Sequence, residues 1–220
     1  TVNYNLGNNG TSKVLRGVIA YGTQGGNGAA GNLVIGNDGN TAANAVLQTS
    51  FASADDVATA NIVVDTAAAK VLGLTSDTNS ATNKTMVVSG TAGEENKNKV
   101  LNIVGGGEYE YAGQLGENLD IAYTGAGKQT IAGGVTEGFN GAVTVDDNTR
   151  DSGVLELLNS ASVNITDLTI GASDTLDLND GSNVGTAVVS GTMTAGGAGG
   201  TPSKLDGSLT LGSRSTYDVS

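Results

Sequence analysis

The chain has no cysteine, no histidine and no tryptophan, a single proline (Pro202), and aromatic residues at only 4 % of its 220 positions. Without cysteine there is no disulfide and no thiol redox chemistry. Without histidine, Ser-His-Asp catalysis is ruled out, and no motif supports a Ser-Lys alternative. So few rings suit a compact globule of this length poorly, because such a core draws its volume from Phe, Trp and Leu. Positive charge is also scarce, with 10 Lys and Arg against 22 Asp and Glu for a net charge of −12. Basic residues such as Lys13, Arg16, Lys70, Lys84, Arg150, Lys204 and Arg214 are scattered along the chain and form no patch. A nucleic-acid groove or an anionic membrane surface needs the opposite sign, so neither is an expected partner. No apolar run approaches the ~18 residues of a membrane-spanning helix. A chain that opens on Thr1 without a signal peptide and closes on Thr216-Tyr217-Asp218-Val219-Ser220 reads as a mature or excised fragment, with any export signal or anchor outside it.

Glycine is abundant, at 35 residues. It has neither the Gly-X-Y period nor the proline of collagen. Tight turns every ten or so residues account for it, since glycine reaches positive φ without steric cost. Between the turns lie pieces of three to five residues in apolar/polar alternation. With their closing residues included, the stretches that hold them from Leu119 to Leu178 are Leu119–Tyr123, Lys128–Gly134, Phe139–Asp146, Val154–Leu157, Val163–Ile165, Leu168–Gly171 and Leu176–Leu178. Period-2 alternation gives each piece one dry face. No piece can bury that face alone, so successive strands must stack, which predicts an all-β, single-domain β-solenoid spanning residues 1–220. Residues 41–60 break the pattern. They are rich in Ala, and an irregular or short helical excursion is expected there, with Ser53 capping a turn that carries Asp55 and Asp56.

The chemistry-bearing motifs each have a plainer reading. Gly26–Gly31 fits G-x-G-x-x-G, yet Leu33-Val34-Ile35 follows where a dinucleotide site needs a helix, so a turn is the expectation. Asp174, Asp177 and Asp180 form a local acidic cluster and are the candidate metal ligands. Gly181 stands where a further oxygen belongs, and no bidentate Glu follows, so the expected metal set is none and the carboxylates read as an outward row. Asp55-Asp56, Glu94-Glu95 and Asp146-Asp147 are the paired carboxylates available for acid/base work. Neighbours on a strand point to opposite faces, which separates each pair in space. No cofactor is expected. Glu108-Tyr109-Glu110-Tyr111 places both tyrosines on one face, where Tyr109 and Tyr111 are the candidate binding residues as a stacking platform for sugar or protein; the alternative is that they cover the core.

Asp120-Ile121-Ala122-Tyr123-Thr124-Gly125-Ala126-Gly127-Lys128-Gln129-Thr130-Ile131-Ala132-Gly133-Gly134, followed by Phe139-Asn140-Gly141-Ala142-Val143-Thr144-Val145, resembles the autotransporter-associated β-strand repeat. The shared pattern is strand, G-x-G, x-x-T-hydrophobic-x-G, aromatic-x-G, strand. It covers Leu119 to Leu178, with one good copy. The resemblance implies a right-handed parallel β-helix in the passenger domain of a Gram-negative type V secreted protein, at the extracellular bacterial cell surface. The expected role is that of a non-enzymatic adhesin, self-association surface or rigid stalk, whose partners are host or bacterial surface glycans or proteins, or copies of itself. The alternatives are a self-assembling surface-layer or filament subunit and a carbohydrate-active β-helix enzyme.

Overall fold

The computed structural model describes residues 4–5, 15–23, 33–35, 43–51, 61–64, 68–76, 86–89, 98–132, 139–146, 151–158, 164–178, 183–195 and 204–218. Among them there are strands and turns and no helix. The strands form four sheets, and every pairing between them is parallel. Strand order within each sheet follows chain order, so each pass of the chain adds one rung. That is a β-solenoid.

The five-stranded sheet stacks Tyr4–Asn5, Leu33–Ile35, Asn61–Val64, Met86–Ser89 and Gln114–Leu115. A three-stranded sheet stacks Leu15–Thr23, Ala43–Phe51 and Gly73–Ser76. The eight-stranded sheet climbs from Ala68–Val71 through Lys99–Ile103, Leu119–Tyr123, Val143–Val145 and Asn164–Ile170 to Asn183–Val189, which carries both Lys204–Leu205 and Leu209–Leu211. The six-stranded sheet runs Glu108–Tyr111, Lys128–Ile131, Val154–Leu157, Thr175–Leu178, Thr192–Ala195 and Thr216–Asp218.

Alternation sets the packing. In Leu119–Tyr123 the residues Leu119, Ile121 and Tyr123 are buried while Asp120 and Ala122 are half-exposed. The same phase repeats on the next rungs, so inward residues form columns, one of them Tyr123–Val145–Ile170–Val189. Aliphatic residues fill a narrow core in which Tyr111, Tyr123 and Phe139 are the largest buried side chains. Burying each aliphatic contributes ~1.5–3 kcal/mol, which is how so few aromatics suffice. On the last rung Leu205, Leu209 and Tyr217 are only partly buried and Leu211 is 51 % exposed.

Two expectations change. The Ala-rich stretch is a nine-residue strand, Ala43–Phe51, matched residue for residue to Leu15–Thr23. Pairing on both sides overrides the weak strand preference of alanine there; the helical turn expected near Ser53 lies outside the described residues. The glycines also serve a different purpose. At the stacked corners, Gly105, Gly125, Gly153, Gly171 and Gly191 take no left-handed φ; among the described residues Asn118 (φ 56°) is the non-glycine residue that does. A Cβ on Gly105 would land on the Leu72 carbonyl, one on Gly125 on the Gly105 carbonyl, and one on Gly153 on the Gly125 carbonyl. Glycine is needed at these corners for close approach of stacked backbones.

Candidate functional site

A solenoid presents its chemistry on the outward rows of its sheets, where side chains one rung apart are separated by ~4.8 Å. On the six-stranded sheet one such row is Glu110–Thr130–Glu156–Asp177–Thr194–Asp218. Beside it runs Glu108–Lys128–Val154–Thr175–Thr192–Thr216. The charged centre of this face is tied together. Glu156 Oε2 pairs with Lys128 Nζ at 2.9 Å and accepts a hydrogen bond from Thr130 Oγ1 at 2.7 Å. Burial pushes the Glu156 carboxyl up, but the Lys128 ammonium and the Thr130 hydroxyl outweigh it and hold the group below its ordinary value. Asp177, one rung on, is raised by burial and by the Glu156 carboxylate, with Lys128 offsetting part of the shift.

These opposite shifts give opposite pH signatures. Glu156 has a depressed folded pKa, so its contribution is present above the unfolded value and is lost as pH falls through the folded one. Asp177 has a raised folded pKa, so its ionised form costs stability above that value, and the cost disappears as pH falls below the ordinary Asp range. Glu156→Gln is expected to lower stability at neutral pH and Asp177→Asn to raise it, each by less than ~1 kcal/mol because the groups are partly solvated. Both differences should vanish in acid. Thermal unfolding of the variants across pH 2.5–7 (a range bracketing the ordinary carboxylate values) checks this; a Glu156→Gln deficit that persists undiminished in acid would contradict it.

The residues singled out from the sequence are distributed rather than gathered. In Glu108–Tyr111 both tyrosines do share a face, but it is the inward one: Tyr111 is 0 % exposed and Tyr109 half-buried, while Glu108 and Glu110 are exposed. The Tyr109 ring lies across Gly73 and Gly107, with Oη 2.6 Å from where a Gly107 Cβ would sit. Glycines at the adjoining corner leave the room the ring fills, so this strand presents no exposed tyrosine platform. Asp174 is 2 % exposed and turned into a corner, where Oδ1 accepts the Gly153 N–H at 2.8 Å. Asp177 stands on the outer row, and Asp180 lies outside the described residues. Asp174 and Asp177 are therefore directed to different places, and no group of three or more His, Cys, Asp or Glu side chains converges among the described residues. Of the paired carboxylates Asp146 is half-buried; Asp55, Asp56, Glu94, Glu95 and Asp147 lie outside the described residues, as does Gly26–Gly31.

Two buried polar groups went unremarked in the sequence. Gln129 is 0 % exposed, with Oε1 accepting the Leu74 N–H at 2.9 Å and Nε2 donating to the Leu74 carbonyl at 3.0 Å. The available signal was a polar residue at an inward position of Lys128–Ile131. Tyr123 ends in a buried hydroxyl with no hydrogen-bond partner of good geometry. Burial, partly offset by the Gly127 backbone and reinforced by the Asp174 carboxylate and Tyr109, pushes its pKa up to about 12. Its position at the end of an apolar alternation reads as core, and nothing in the sequence sets its hydroxyl apart. No protein-family model, no curated protein and no solved structure matches this chain.

Proposed function

We propose that the chain is a non-enzymatic segment of a bacterial cell-surface passenger domain, a rigid stalk whose outward polar rows make adhesive or self-associating contacts. The observation that carries this reading is the register of the outward rows: six successive strands of one sheet hold their outward side chains in line along the solenoid axis. Such rows add many weak contacts over a long, preorganised surface, and preorganisation spares the ordering cost that flexible binders meet. The net charge of −12 keeps the rod soluble and discourages edge-to-edge pairing. The repeat resemblance over Leu119–Leu178 supports the surface location.

The test is to display the chain on bacteria that lack their own adhesins and to score clumping and attachment to host cells or glycan-coated surfaces. Displaying cells should clump or attach, and cells carrying a version with Thr175, Thr192 and Thr216 changed to Lys should do so less. Sedimentation of the purified chain as large, concentration-dependent polymers would favour the lattice or filament reading instead. Turnover of an acidic polysaccharide, abolished by Asp→Asn changes, would replace both with an enzyme.

A further inference from the structure

Outward charge is dense on the six-stranded sheet and, on the eight-stranded sheet, falls on the lower rungs at Lys70 and Asp120. The outward rows of the six-stranded sheet carry Glu108, Glu110, Lys128, Glu156, Asp177 and Asp218. The upper part of the eight-stranded sheet is different. One outward row there runs Thr144–Thr169–Val188–Thr210. The parallel row runs Asp167–Thr186, continued by Ser208, the residue before Leu209 in the same register. Apart from Thr144, which is half-buried, all these side chains are exposed, Val188 to 42 %. Asp167 is the one charge in the array. The residues between them, Leu168, Ile170, Ala187 and Val189, are buried and anchor the strands from behind.

We infer that this array is an ice-binding face. Three physical features point to that ligand. The first is periodicity: parallel rungs repeat at ~4.8 Å and alternate residues along a strand at ~6.6–6.8 Å, a rectangular grid on the scale of the oxygen rows of an ice surface. The second is chemistry. Threonine and serine hydroxyls each donate one hydrogen bond and can accept two, so each can meet part of the two-donor, two-acceptor coordination of a lattice water, while the methyl groups of Thr and Val fill the spaces between without holding water of their own. The third is neutrality. A carboxylate or ammonium keeps a tight hydration shell that competes with the lattice, and a chain of net charge −12 has left this patch almost uncharged. Neighbouring coils fix the grid before water arrives, so adsorption does not have to order the protein. The inference goes beyond the adhesive reading and stands without it, since the grid is a property of the sheet wherever the protein resides.

The experiment freezes the purified, fluorescently labelled chain slowly onto a seeded ice hemisphere and measures how much enters the ice, together with thermal hysteresis and ice-recrystallisation inhibition. The wild-type chain should enter the ice and shape growing crystals. Thr186→Tyr, which raises a ring at the centre of the array, and Thr186→Lys, which adds a charge there, should lose most of that uptake with unchanged circular dichroism. Glu117→Tyr, which puts a ring on an exposed turn outside every outward row named above, should retain it and controls for damage to the fold. Exclusion of the wild-type chain from ice at every concentration would overturn the inference. So would equal loss in the Glu117→Tyr control, or concentration-dependent self-association through this face with no ice uptake.

Discussion

Gln129→Leu is expected to destabilise the solenoid by ~2–4 kcal/mol, although leucine is the more apolar residue and the site is fully buried. The three-stranded sheet ends at Gly73–Ser76 and the six-stranded sheet begins at Glu108–Tyr111, and the two are separate sheets. The Gln129 side chain reaches back to that junction. It accepts from Leu74 N (2.9 Å), donates to Leu74 O (3.0 Å) and lies 3.4 Å from Tyr109 O. Leucine would fill the same volume and leave the Leu74 amide and carbonyl without these partners, each orphaned group costing ~1–3 kcal/mol. Gln129→Glu should be no better, because an ionised carboxylate cannot donate to the Leu74 carbonyl. Denaturant unfolding gives the size of the effect. Hydrogen exchange locates it, since protection of the Leu74 amide should drop before that of Ile121 or Leu176. A Gln129→Leu chain of wild-type stability with a protected Leu74 amide would show that the backbone pairs some other way.

Gly125→Ala is expected to cost ~3 kcal/mol or more, at the upper end of the range for forcing extra volume into a packed site. The added methyl would sit on the Gly105 carbonyl and within 2.9 Å of its carbon. Backbone below cannot give way without parting the ladder, because the neighbouring Thr124 N–H donates to Ile103 O (2.8 Å) and Lys128 N–H to Gly107 O (2.9 Å). Gly106 in the turn below is the control. A Cβ there meets nothing within 4 Å, so Gly106→Ala should change stability by no more than ~0.5 kcal/mol. The paired comparison separates space from conformation: were glycine needed at these turns for its dihedral freedom, both substitutions would be harmful. Equal tolerance of both would mean that the corner opens more easily than the stacked carbonyls suggest. Because coils of a solenoid contact mainly their neighbours, the Gly125 defect should loosen the rungs around it before the rest.

Much of the fold was legible residue by residue. Alternation in Val154–Leu157, Thr175–Leu178 and Thr192–Ala195 identified which side chains face inward, and Leu155, Leu176 and Met193 are buried in one column as that reading requires. The tyrosines of Glu108–Tyr111 illustrate where legibility stopped. Their shared face followed from period 2, but whether that face was wet depended on the room left by Gly107 at the strand's own start and by Gly73, contributed by an earlier pass of the chain. Asp174 and Asp177 looked alike in sequence, yet one reaches into a corner to Gly153 and the other stands on a row beside Glu156.

By itself the sequence determined that the chain is built of short strands, where they turn, and which side of each is dry, because all three are set by residues within a few positions of one another. Only the tertiary structure decided which rung stacks on which and what each corner glycine must avoid. It also brought Gln129 to Leu74, 55 positions away, and left the upper outward rows of the eight-stranded sheet with little charge beside the charged six-stranded face. Those outcomes depend on contacts between coils, and the register of one coil on the next is a sum over whole rungs that no local window contains.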